Sequence, residues 1–280
     1  MSVTFQSVNL INDASKVNFG KKKDVTFSAY SKQPEASKKV KAGVFATTLL
    51  GVATATALCM KGKGFNISNK EGILNGLKKL EYEGYVVPAI AAGSIGGGLL
   101  GGALFDDKRN MKAKLREAAI QMFANVLIPL FCVEKLGGLF KSKVKNPIMK
   151  KMNLPLAGEN LPKKARVVAG LFDIGSLVFS LGSAIILGNK ATNLMNEKIY
   201  NIRDDREVKV ADMSGHVDDF CLGISRAFDK TSPIGAVSAK VSRIIPAALL
   251  VCGYSSGVVQ EWPDDVKELR KVDPSKPFRL

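Results

Sequence analysis

Residues 84–105 read GYVVPAIAAGSIGGGLLGGALF, 22 positions without a charged side chain, and six of the ten from Gly93 to Gly102 are glycine. A helix of that length reaches about 30 Å at 1.5 Å per residue, the depth of a bilayer's hydrocarbon core. Each glycine inside a helix costs roughly 1 kcal/mol relative to alanine in water. Six of them make sense only where another backbone comes very close. Ala89, Gly93, Gly97 and Gly101 fall four apart and so form one smooth helical stripe, the small-residue face along which membrane helices pack. This stretch sets the fold expectation: an all-α, polytopic helical membrane protein.

Working outward, four more apolar stretches appear, at 42–60, 118–133, 167–188 and 244–260, with the central one running 85–105. Between them the chain is strongly polar, which is why its mean hydropathy is only +0.08. The first stretch repeats the small-residue rhythm with Gly43, Thr47, Gly51, Ala55 and Cys59; the fourth does so with Ser176, Ser180, Ala184 and Gly188. The last offers Ala248, Cys252 and Ser256 beside Gly253 and Gly257. The stripes read as packing faces of a helical bundle, with Gly51, Gly93, Gly97 and Gly101 as the principal contact positions.

The third stretch is the weakest. Its 16 residues hold Gln121, Asn125 and Pro129, and follow a charged approach of Lys112, Lys114, Arg116 and Glu117. It reads equally as a span or as an interfacial amphipathic helix, so four or five spans are expected. With the third stretch set to one side, 27 basic residues fall on one face and 14 on the other. The positive-inside tendency then favours four spans with both termini cytoplasmic. Residues 1–41, polar and rich in lysine, read as a disordered tail, 42–260 as the membrane domain, and 261–280 as a charged tail. No signal-peptide pattern opens the chain, so the first stretch is expected to act as an uncleaved anchor. Within the polar insert 189–243, Ser214 could cap an amphipathic helix reaching about Asp229. Tyr82, Tyr85, Tyr254 and Trp262 flank apolar stretches, as an interfacial aromatic belt would.

The formal net charge of +16 comes from basic residues at the edges of apolar stretches, among them Lys38, Lys39, Lys41, Lys61, Lys63, Lys163, Lys164 and Arg166. That placement suits a bilayer with anionic headgroups and argues against nucleic acid, since no aromatic-interleaved basic patch is present. The localisation expected is integral and multi-pass, in a plasma or inner membrane.

Catalytic chemistry finds little support. Cys59, Cys132, Cys221 and Cys252 form no CxxC pair. The single histidine, His216, has only Asp219 and Cys221 for company, too thin a set for zinc. The glycine run lacks GxxxxGK[ST]. No catalytic residue, cofactor or metal is expected. One ionisable residue lies inside an apolar stretch, Asp173, and an intramembrane acid is a candidate for ion or proton coupling. The plainer reading pairs it with Arg166, Lys240 or Arg243. The leading functional expectation is a non-enzymatic structural or interaction protein, associating with other membrane helices or a second copy. The alternative is a small transporter or channel using Asp173.

Overall fold

A computed structural model describes residues 34–82, 84–156, 162–202 and 245–264. Among these there are helices and no strand, and four helices are long and apolar enough to cross a membrane. Helix α1 is Lys38–Gly62, α2 is Lys70–Lys79 and α3 is Val86–Phe105. A long helical run, α4, covers Lys108–Lys151; α5 is Lys163–Lys198 and α6 is Ile245–Val258.

The helix ends are set by capping chemistry and not by where apolarity stops. Ser37 Oγ accepts from Val40 N at 3.3 Å and starts α1 four residues before the apolar stretch, so the tail expected over 1–41 is too long at its C-terminal end. At the other end Gly64, with φ of 82°, closes the helix: Gly64 N donates to Lys61 O and Phe65 N to Met60 O, both at 3.0 Å. In the same way α5 overruns the 167–188 stretch on both sides and takes in the first ten residues of what reads as polar insert.

The third stretch is not the short element the sequence suggests. It lies within α4, one of the four long apolar helices, while the last stretch gives the shorter α6. The count falls within the four or five spans expected, and it includes the third stretch through α4, where the favoured four-span arrangement counts the last stretch instead. Charged residues on both flanks hide this continuity, because lysine and glutamate are good helix formers whatever their polarity. Three π-helical turns interrupt α4, at Phe123–Leu127, Cys132–Leu136 and Lys141–Lys145. Pro129 and Pro147 follow the first and last. A proline ring displaces the carbonyl four residues back, here those of Asn125 and Lys143, each inside a π turn.

The core is a cluster of α1, α3, α6 and the first half of α4, with Val52, Met60, Val86, Ile90, Ile95, Val126 and Leu249 at its centre. Helices α1 and α3 are antiparallel: an added Cβ at Gly62 would stand 3.3 Å from Tyr85 Oη, and one at Gly43 would fall on the Phe105 ring. Helix α6 runs parallel to α3, with Leu249 beside Ser94 and Gly257 beside Gly98. Helix α4 starts at the Asp106 end of the bundle, and α5 returns antiparallel along its later part. Ala36, Val40 and Val44 pack against Tyr254 and Val258, so the start of α1 and the finish of α6 share one end of the bundle.

Candidate functional site

Two bare faces run side by side along α3. On the first, Gly93, Gly97 and Gly101 meet α1: a Cβ at Gly97 would lie 3.0 Å from Thr48 Cα, one at Gly101 2.7 Å from Val44 Cα, and one at Gly93 would fall on Ala55 Cβ and 2.7 Å from Gly51 O. Gly51 answers from α1, where a Cβ would strike Gly93 O and stand 3.1 Å from Gly97 Cα. On the second face, Ser94, Gly98 and Gly102 meet α6. A Cβ at Gly98 would stand 3.1 Å from Gly253 Cα, and one at Gly257 2.9 Å from the Gly98 carbonyl carbon. Ser94 Oγ ties this face together, donating to Leu249 O at 2.7 Å and accepting from Gly253 N at 3.1 Å. Gly98 and Gly102 belong to a second stripe that the four-residue count from Ala89 passes over. The signal for it was the Gly253–Gly257 pair, whose spacing needs an equally bare partner.

The second glycine face ends on a buried charge. Lys114 is fully buried, and its Cδ lies in the space a Cβ at Gly102 would need. Its Nζ pairs with Asp106 Oδ2 at 2.8 Å and donates to the carbonyls of Gly257 and Val259 at the finish of α6. A cation on those orphan carbonyls is favoured by both hydrogen bonding and the helix dipole. The charged approach to the third stretch is thus not uniformly solvated, because Lys114 points inward. Asp106 also accepts from Gln260 Nε2 at 2.7 Å, Asn110 Nδ2 at 3.1 Å and Asp107 N at 2.8 Å. Asn110 Oδ1 accepts from Glu261 N at 3.0 Å. Burial alone pushes the Asp106 carboxyl up, but the hydrogen bonds from Lys114, Gln260 and the Asp107 amide outweigh it and hold the carboxyl below its usual value. Asp106 is the extended residue that ends α3, and the turn over Lys108–Asn110 brings Asn110 and then Lys114 back against it. Only the fold supplies Gln260.

Asp173 sits on α5, nearly buried, and both its oxygens accept from Lys145 Nζ, at 2.7 and 2.9 Å. Among the described residues its partner is thus on α4, at a lysine not named among the expected ones, and the Arg166 side chain lies outside the described residues. Lys240 and Arg243 lie outside the described residues, as does His216 with Asp219 and Cys221. The glycine-facing serines come next along α5: Ser176 Oγ donates to Gly137 O at 3.4 Å, and Ser180 Oγ lies 3.4 Å from where a Cβ of Gly137 would be. Ser180 Oγ and Asn193 Oδ1 are buried without a hydrogen-bond partner among the described residues. Further back on α4, Glu117, Gln121 and Asn125 form a ladder of side-chain hydrogen bonds at 2.7 and 2.8 Å.

Among the described residues no group of His, Cys, Asp and Glu could hold a metal. Cys59, Cys132 and Cys252 are buried thiols, each acting as a small apolar side chain. The aromatic belt is partial: Tyr85 is exposed at the start of α3, under Lys63 at 5.5 Å, but Tyr82 is buried in the core, and Tyr254 packs edge-on against Phe45. Comparison with family models, with curated proteins and with solved structures gives no match to this chain.

Proposed function

We propose that this is an integral, multi-pass membrane protein with a non-enzymatic structural or interaction role. The observation that carries the reading is the pairing of a glycine-packed interior with an apolar exterior. Leu50 and Leu58 on α1, Leu100 and Leu104 on α3, Phe131 on α4, and Leu171, Val178 and Ile186 on α5 are all exposed. Large apolar side chains exposed on four long helices are unsuited to water and suited to hydrocarbon. The interior, by contrast, leaves no room for cargo along α3, whose two bare faces are occupied by α1 and α6.

Helices α1, α3, α4 and α5 serve as the four crossings, in a plasma or inner membrane. With α6 packed from the side of the chain ends, 27 basic residues lie on that side and 14 on the other. This supports cytoplasmic ends and contact with anionic headgroups. Contacts with other membrane helices or a second copy fall to Gly138, Gly170 and Gly182, where an added Cβ meets no described atom. Nucleic acid is not a partner in this reading.

A transporter or channel is the second reading. Its support is the Lys145–Asp173 pair with the unpartnered Ser180 Oγ and Asn193 Oδ1 on the same helix. The deciding experiment is reconstitution into liposomes with proton and cation flux assays. The structural reading expects no flux above protein-free vesicles. Flux abolished by Asp173→Asn would overturn it in favour of the transporter.

A further inference from the structure

Helix α2 presents an apolar face to the outside at the end of the bundle where α1 finishes and α3 begins. Asn69 Oδ1 caps it, accepting from Gly72 N at 2.7 Å, with Glu71 in the first turn and Lys78 and Lys79 in the last. Its flanks are anchored inward. Phe65 and Ile67 before it, and Leu80 and Tyr82 after it, pack into the core, and Gly76 faces Met60 so closely that a Cβ would collide with the methionine methyl. That anchoring fixes the helix about its axis. Ile73, Leu74 and Leu77, which cover about 100° of arc on one side, are left 40%, 45% and 40% exposed.

The surroundings identify what covers this face. Lys70 and Lys78 lie one turn to either side of Leu74, and Lys61, Lys63 and Lys79 are exposed nearby. Lysine stems of this kind run along an apolar boundary and hold their charge at its edge. Tyr85, exposed and stacked under Lys63, marks the same level at the start of α3. The apolar exteriors of α1 and α3 arrive at that level from Leu58 on one side and Tyr85 on the other. An amphipathic helix tethered there, apolar on one side and bordered by lysine, has the chemistry of a membrane-surface helix.

We propose that α2 lies in the headgroup layer of an anionic lipid surface, with Ile73, Leu74 and Leu77 inserted at the acyl boundary and Lys70 and Lys78 on lipid phosphates. The proposal rests on the membrane reading above, and the test separates the two. Trp262 is the chain's only tryptophan, so Trp262→Phe gives a silent background for single reporters in the full-length protein. Leu74→Trp and Leu77→Trp report on α2, and Leu100→Trp on the exterior of α3. Each is reconstituted into vesicles of phosphatidylcholine and phosphatidylglycerol brominated on their acyl chains.

Quenching of all three reporters, with blue-shifted emission for α2, is the expected result. Adding Lys70→Gln and Lys78→Gln should lower the quenching at Leu74→Trp and leave Leu100→Trp unchanged. Quenching at Leu100→Trp alone places α2 away from lipid and overturns the proposal while the membrane reading stands. A blue-shifted but unquenched α2 reporter means that protein covers this face, which also overturns it. No quenching at any position overturns the membrane reading and the proposal together.

Discussion

Lys114 Nζ stands 2.8 Å from Asp106 Oδ2 in a corner where the lysine has no exposed surface. This one pair joins three helices, because the same ammonium closes the final carbonyls of α6 while its stem fills the space above Gly102. Breaking a buried pair from one side is far more harmful than replacing both partners, since the charge left behind loses its compensation.

Lys114→Met therefore leaves the Asp106 carboxylate without its ammonium and takes a donor from the Gly257 and Val259 carbonyls, and should cost about 3–5 kcal/mol of stability. Lys150→Met, at an exposed position on the same helix, should stay within about 0.5 kcal/mol. Denaturant titration of both variants in detergent micelles compares them directly. Equal stability would show that the Lys114 corner contributes nothing.

The Asp106 carboxyl predicts an acid limb. Its folded-state value is depressed, so its contribution is fully present above the unfolded value of about 3.9 and disappears as pH falls through the folded value below it. Stability should drop with acidification in that window. Asp106→Asn should lower stability near neutral pH and flatten the acid limb. An unchanged slope in the variant would place the acid sensitivity elsewhere.

The two faces of α3 predict an uneven response to bulk. Gly97→Leu and Gly98→Leu push into the backbones of α1 and α6, and each should cost about 1–3 kcal/mol or more. Gly96→Leu adds its side chain where a Cβ meets no described atom and should be tolerated. Folded yield and resistance to detergent denaturation give the comparison. Indifference at Gly97 and Gly98 would mean those faces are not packed.

The pair on α4 and α5 predicts rescue by exchange. Asp173→Ala strands the Lys145 ammonium and should cost about 1–3 kcal/mol, eased as the lysine stem swings toward the headgroups. The double exchange Asp173→Lys with Lys145→Asp should recover most of the loss. A double variant no better than the sum of the singles would show that the two charges do not interact.

Much of the architecture is written in local pattern. Apolar runs locate α1, α3, α5 and α6, and the four-residue rhythm picks out Gly51, Gly93, Gly97 and Gly101 at the contact of α1 with α3. What is not legible depends on distant residues or on short elements. α2 hides in a polar connection, although Asn69 followed by Ile73, Leu74 and Leu77 is a capped amphipathic turn in miniature. The inward turn of Lys114 depends on carbonyls about 145 positions away. The Lys145–Asp173 pair depends on α4 continuing through a basic stretch that apolarity alone discards.

α5 and α6 both point toward the Asp106 end, where Ala36 already packs against Val258. Any path from the start of α1 to the finish of α6, which share one end of the bundle, passes through an intervening sheet of lipid an even number of times. The parity holds whether or not α6 itself penetrates. In the membrane reading proposed above, the start of α1 at Lys38 and the finish of α6 at Val258 then share one face of the bilayer. Reporters placed at those two helix ends should therefore read the same side.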